Sequence, residues 1–364
     1  MGKRSAKKPR VVMIGPARNV HGGVSTMVNN YYAAGLSELV NLTYISTMVD
    51  GSKFRKLLQA IWAYLYFLTF LPGMDILHAN MSPDASYYRK KIFVDTAALF
   101  HKKIIIHFRG GDFQTFYNQK SNTGAGRVRK TLNKAHVFLV LSPEWKEVFL
   151  PLVTPEKIII LGNAVAIPEK KKSDYASHNL LFLGRMCQDK GAGELLAVMP
   201  RLREHFPDVH LYFGGIWTDA DLEKEAAKMQ DMITSIGWID KKTQSEYAEK
   251  CSIFVLPTYY EGQPNSVIEA MAAGMVPVAT AVGGIPQMIL DHENGRLIEP
   301  RNADALYDAL AELLADEKLR RRYGEAGRRH IEENFNIHHL VERLSHIYSL
   351  ASEYESVQKG FKDS

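Results

Sequence analysis

Short apolar runs alternate with longer amphipathic stretches along this chain. In the first half, strands are predicted at Val11–Ile14, Leu42–Ser46, Ile76–Ala79, Ile104–Phe108, Val137–Leu141 and Lys157–Leu161. Helices are predicted between them, near Val24–Gly35, Phe54–Leu71, Tyr87–Phe100, Gly126–Ala135 and Pro143–Leu150. Apolar runs this short, bounded by Gly, Pro or Asp and separated by helices, read as a parallel sheet covered on both faces. The polar, charged stretch from Glu169 to His178 reads as a linker.

Beyond the linker the pattern restarts. Strands are predicted at Leu180–Leu183, His210–Phe213, Ile253–Leu256, Val276–Ala279 and Gly295–Ile298. Helices are predicted at Ala192–His205, Ala220–Lys228, Lys242–Lys250, Ser266–Gly274, Asp304–Ala315 and Leu319–Asn334, with a last amphipathic helix from Ile337 to about Tyr354. The expected organisation is α/β: a Rossmann-like domain over 1–168, a second over 169–340, and a helix over 341–364 that packs back onto the first. Two doubly wound sheets put ligands at the carboxyl ends of their strands.

Composition is that of an ordinary globular enzyme: 364 residues, 46% hydrophobic and 23% charged, enough for about two domains. Two cysteines, Cys187 and Cys251, make neither a disulfide framework nor a metal cluster, which fits a reducing cytoplasm. No secretory signal opens the chain. Net charge is +5, and Lys3, Arg4, Lys7, Lys8 and Arg10 supply as much by themselves. Such a tail suits an anionic lipid surface or is simply solvated. The uncharged run from Leu57 to Met74 is stopped by Pro72-Gly73, too short to span a bilayer. It reads as a buried or interfacial helix, so a peripheral membrane contact at the inner face of the plasma membrane stays open. No nucleic-acid partner is expected.

The densest chemistry lies in Glu261-Gly-Gln-Pro-Asn-Ser-Val-Ile-Glu269, two carboxylates eight residues apart around a helix start. Pro264 suits the first helical position, and the amides of Asn265 and Ser266 then form an anion site. The surrounding text, from Leu256 through Pro286, closely resembles the E-x7-E signature of the retaining family 4 glycosyltransferases, the "group 1" transferases, whose fold is GT-B. The resemblance implies two Rossmann-like domains facing across a cleft. It also implies a nucleotide-sugar donor, transfer with retention of configuration, and no metal or other cofactor.

Further segments carry the resemblance. Gly22-Gly23 after the first strand matches a glycine loop near the donor phosphate and the acceptor. Leu183-Gly-Arg-Met-Cys-Gln-Asp-Lys-Gly191 matches G-R-x-x-x-x-K-G, which implies that Arg185 and Lys190 hold the diphosphate as it leaves. Glu269 is then expected on the ribose hydroxyls and Glu261 on the donor sugar, with Gly262, Gln263, Asn265 and Ser266 completing the pocket. Asn163 matches a hinge junction and reads as structural. At Ile106-His-Phe-Arg-Gly-Gly-Asp-Phe113 the chain departs from the family's H-x-H-G-x-[DE]-F, with Arg109 where the second His is usual. Either His107 faces the ligand while Arg109 binds a phosphate, or His107 is a packed strand residue. Asp112 is a second candidate for orienting an acceptor hydroxyl. Asp219-Ala-Asp221 reads as a helix cap, not a metal motif, and His78 as structural.

The function expected is a sugar transfer from a UDP or GDP donor to an acceptor hydroxyl, with a lipid-linked glycan of a surface polysaccharide as acceptor. A nucleotide-sugar 2-epimerase and a non-catalytic nucleotide- or glycan-binding subunit are the alternatives. The E-x7-E block and the Arg/Lys pair favour transfer over epimerisation.

Overall fold

A computed structural model describes residues 8–20, 22–110, 113–169 and 173–360, with side chains to Glu353. The chain divides into two units, Met1–Ala166 with Ile337–Ser364, and Ile167–Asn336. Lys3, Arg4, Lys7, Asp112 and the linker lysines 170–172 lie outside the described residues.

In the first unit the elements run β1 (Arg10–Pro16), α1 (Gly23–Ala33), α2 (Leu36–Leu39), β2 (Asn41–Met48), α3 (Lys53–Phe70), β3 (Ile76–Met81) and α4 (Ala85–Leu99). They continue through β4 (Lys103–Phe108), α5 (Phe113–Asn118), α6 (Asn122–Leu132), β5 (Val137–Val140), α7 (Pro143–Phe149) and β6 (Ile158–Ile160). All six strands are parallel, in the order β2–β1–β3–β4–β5–β6. β3 is buried at every position, as a strand covered on both faces must be. One face packs Phe67, Phe93, Val128 and Phe149 from α3, α4, α6 and α7. The other packs Met27 and Tyr31 of α1 against a long final helix, built below from Ile337, Leu340, Val341, Leu344 and Tyr348.

The second unit contains β7 (Asn179–Leu183), α8 (Ala192–His205), β8 (His210–Gly214), α9 (Ala220–Ala227), β9 (Ile233–Gly237), α10 (Lys241–Lys250) and β10 (Ile253–Leu256). It ends with α11 (Asn265–Ala272), β11 (Val276–Thr280), β12 (Arg296–Ile298), α12 (Ala303–Ala315) and α13 (Glu317–Asn334). Its parallel order, β12–β11–β10–β7–β8–β9, is that of a dinucleotide-binding sheet. The chain then returns to the first unit as α14 (Ile337–Gly360), whose apolar stripe recurs at three- and four-residue steps.

Three elements escaped the hydrophobic pattern. α2 is a single turn. β9 is an edge strand with only Ile233 buried, so no apolar run announces it. α5 is short and follows directly on residues outside those described. No helix among the described residues is long and apolar enough to cross a membrane.

Candidate functional site

In an open parallel sheet, ligands gather where the strand order reverses, at the carboxyl ends of the strands. In the second unit that point lies between β7 and β10. The loop after β7 carries Arg185 and Lys190, and the loop after β10 carries Glu261. Backbone contacts lock the two loops together: Tyr259 N–H donates to the Asp189 carbonyl at 2.8 Å. Gly191, at φ +74, sits against the Pro257 backbone where a Cβ would collide. Lys190 consequently forms an ion pair with Glu261, both side chains mostly buried. The Arg185 side chain is exposed and has no hydrogen bond or ion pair among the described residues.

Gly283 holds the other side of Glu261. At φ +57 its Cα packs on the Glu261 and Gly262 carbonyls, and Gly284 N–H donates to Gly262 at 2.6 Å. Gly262 and Gln263 are buried beneath the turn. Pro264 proves to be the N-cap of α11, one position earlier than expected, with extended backbone at φ −73, ψ 120. The helix therefore opens at Asn265, so the N–H groups of Asn265 and Ser266 fall in its first turn, outside the helix's own hydrogen-bond ladder. Glu269, a turn further on, accepts from Gln244 Nε2 at 2.8 Å. Burial pushes its carboxyl up, opposed by the Gln244 hydrogen bond and Lys241. Gln244 comes from α10 and was not singled out from the sequence. Asp219 caps α9 through the amides of Asp221 and Leu222, and no cluster of metal-ligating residues occurs among the described residues.

In the first unit the order reverses between β1 and β3. Gly22 caps α1 at φ +151 with open space where a Cβ would stand, and Gly23 begins the helix. Asn80, at the end of β3, donates to the Ile14 carbonyl of β1 at 3.3 Å and accepts from Arg109 Nε at 2.8 Å. Arg109 also donates to Asn163 Oδ1 at 2.7 Å, to the Tyr31 hydroxyl, and to His107 Nδ1 at 3.1 Å. Four of its five N–H donors are thus taken, so a bidentate grip on phosphate is not available to Arg109. Asn163 is one of its anchors.

His107 is fully buried. Its Nε2 donates to the Leu161 carbonyl at 3.2 Å, which leaves Nδ1 to accept from Arg109. The ring is packed between the Leu161 carbonyl and Arg109, correcting the reading in which it points outward. His78 stacks on it at 5.5 Å and shares a 2.6 Å hydrogen bond with Tyr348 of α14. Burial, then the Arg109 charge, pulls His78 down to about 3 and His107 well below its ordinary value.

Lys90 was also missed. It lies on the apolar stripe of α4 with Tyr87, Phe93, Val94 and Ala97 and is 3% exposed. That placement was readable as a lysine at a core position of a helical repeat. Burial, helped by Arg89, pulls its ammonium down to about 7.

Residues 166–330 match the family described as "Glycosyl transferases group 1". An uncharacterized glycosyltransferase of Haemophilus influenzae is 30% identical over 54% of this chain and 56% of its own length. A phosphatidyl-myo-inositol mannosyltransferase of Mycolicibacterium smegmatis is 31% identical over 40% of this chain and 38% of its own. The chain thus spans about half or less of these curated relatives. Among solved structures, sucrose-phosphate synthase of Thermosynechococcus elongatus superposes with TM-score 0.77 at 19% identity, covering 98% of this chain and all of that one. HepE of Anabaena in complex with UDP gives 0.73 at 13% identity, covering 93% and 99%. The two Rossmann-like sheets are those of GT-B proteins, and residues 166–330 are similar to the group 1 glycosyl transferases.

Proposed function

We propose that this chain moves a sugar from a nucleoside-diphosphate donor to an acceptor hydroxyl, with retention of configuration. The observation that carries the reading is the Lys190–Glu261 pair at the switch point of the second sheet, beside the first turn of α11 and one turn from Glu269. Glu269 accepts from the ribose hydroxyls, in exchange for Gln244. Asn265 and Ser266 amides meet phosphate oxygens, as helix N-termini do. Arg185 and Lys190 neutralise the diphosphate as it departs, so this reading calls on no metal. Glu261 releases Lys190 to the diphosphate and turns its oxygens to sugar hydroxyls. Gly22 and Gly23 leave backbone room for the reacting groups. Arg109, buttressed by His107, sets the floor on the acceptor side as a positioning residue.

UDP is the preferred nucleotide because HepE, a structural neighbour, is recorded with it; GDP is the competitor. Thermal unfolding with UDP, GDP, ADP and CMP tests the reading. A ligand at about 100 times its Kd adds about 2.7 kcal/mol. One diphosphate should stabilise the wild type and lose its effect in Glu269→Ala. If none of the four raises Tm, the donor reading fails. NMR of the product anomer tests retention, and an inverted product would remove same-face attack.

A lipid-linked glycan is the acceptor we favour, met at a membrane surface. The support is α3, which buries Ala63 and Phe67 yet exposes Phe54, Leu57, Leu58, Ile61, Trp62 and Leu65 on its opposite side. Its only charges are Lys53, Arg55 and Lys56. A helix apolar on both faces with a cationic first turn suits an anionic interface. Flotation with phosphatidylglycerol vesicles should carry the protein, and Ile61→Ser with Leu65→Ser should release it. Failure of the wild type to float would favour a water-soluble acceptor.

A further inference from the structure

A cationic cluster in the first unit has no carboxylate counterion among the described residues. Lys90 Nζ reaches back one turn to Ser86 Oγ at 2.6 Å, and Ser82 N–H donates to the same oxygen at 3.2 Å. Arg89, one residue before Lys90 on the same helix, has its Nε buried and without a hydrogen-bond partner among the described residues. Neither cation has a carboxylate partner among the described residues; the nearby Asp95 is shared by Lys91 and Lys134. A buried unpaired ammonium is costly, and folds normally avoid it by supplying an acid or omitting the lysine.

The surroundings offer donors. Ser86 Oγ already accepts twice, so its proton is free to be given away. Two ammonium protons of Lys90 are unused by described residues. The cluster lies at the start of α4, where first-turn amides lack helical partners, and the N-cap Asp84 makes no capping hydrogen bond. Position ties it to the site: Arg109 N–H donates to the Met81 carbonyl at 2.8 Å, and Gly110 packs on Ser82 and Pro83. One short loop separates these cations from Arg109.

We infer that Ser86, Arg89 and Lys90, with the first turn of α4, bind a phosphate or diphosphate group carried by the acceptor. Two uncompensated cations match the roughly two negative charges of a phosphate group; a carboxylate brings one. Ser86 and Arg89, both partly exposed, meet the anion at the surface, and Lys90 approaches from behind. That the anion belongs to the acceptor rests on the transferase reading; that an anion binds here does not.

The test uses the full chain saturated with UDP, so that the donor site is filled, and titrates inorganic pyrophosphate. The 13C signal of the Lys90 Cε, assigned by its loss in Lys90→Met, reports the site. Pyrophosphate should move that signal and raise its titration midpoint. Its affinity should fall about tenfold or more in Lys90→Met and in Arg89→Gln, the loss of one charge-assisted contact. UDP binding should stay as in wild type, and the Tm of Lys90→Met should hold or rise, because a desolvated charge is removed. Unchanged pyrophosphate affinity in both variants, or a Lys90→Met protein that loses Tm while binding pyrophosphate normally, overturns the site. Two further arms identify the source, vesicles bearing a prenyl diphosphate and a soluble hexose 1-phosphate. Lys90-dependent binding of the first assigns a lipid carrier and of the second a soluble acceptor, and binding of neither overturns the acceptor assignment. Absence of UDP binding would instead remove the donor reading and leave the pyrophosphate result standing.

Discussion

In the second unit Lys190 is matched by Glu261 and Glu269 is held by Gln244; in the first, Lys90 has Ser86, and neither it nor Arg89 has an acid among the described residues. Both clusters follow strands beside the switch point of a parallel sheet, so topology does not distinguish them. Charge balance does. A paired site is neutral while empty, and its ligand must exchange one set of hydrogen bonds for another. An unpaired site carries the desolvation penalty already, and an arriving anion relieves it. On the proposed reading, the donor side exchanges partners and the acceptor side is completed by its ligand.

The largest effect expected is on turnover. Removing Lys190 in Lys190→Ala should lower kcat/KM by about 10²–10³, as loss of a group that meets developing charge does. Arg185→Ala should act likewise with unchanged Tm, since that side chain is exposed. Should Lys190→Ala retain full activity, the contrast loses its catalytic half.

Next comes Arg109→Ala. It strands Asn80, Asn163, Tyr31 and His107 together, and unfolding in urea should show a loss of about 3 kcal/mol, the usual result of breaking a buried charged network. Hydrogen exchange should localise the loss to β3 and β4. A variant of wild-type stability with weakened acceptor binding would instead make Arg109 a ligand contact.

Acidification should act on the first unit. His78 and His107 are held neutral in the fold, whereas the unfolded rings protonate near 6.5. Below that value, and for His78 down to about 3, the unfolded state binds more protons, so stability falls as pH falls, by about 1.4 kcal/mol per pH unit for each ring still neutral in the fold. Urea midpoints at pH 7, 6 and 5 check this, and a flat series would refute the buried histidine pair.

A last effect separates the two lysines most cleanly. Lys90 is pulled down to about 7 and its unfolded counterpart titrates near 10.4, so wild-type stability should rise with pH across that window. Lys90→Met should flatten that rise, whereas Lys190→Ala should leave it in place.

Much of the fold was legible because a parallel strand covered on both faces carries a near-continuous apolar run, such as Ile104–Ile106 in β4, Ile253–Leu256 in β10 and Val276–Ala279 in β11. β9 was not legible, since an edge strand needs no such run. In the site, Glu261 through Glu269 could be read locally because a helix turn fixes their relation. The one-residue shift at Pro264 reflects extended backbone that suits either a cap or the position before a helix. Arg109 could not be read that way. Its partners Asn80, Asn163 and Tyr31 are 29, 54 and 78 positions away, and His78 meets Tyr348 across 270.

The sequence alone determined the strand–helix alternation, the two sheets and the carboxylate-flanked turn, because each depends on residues within a few positions of one another. Tertiary structure alone decided that His107 is sealed behind Arg109 and that Lys90 is buried without an acid among the described residues. Burial and pairing are set by which distant segments the sheets bring together, and residue order does not carry that information locally.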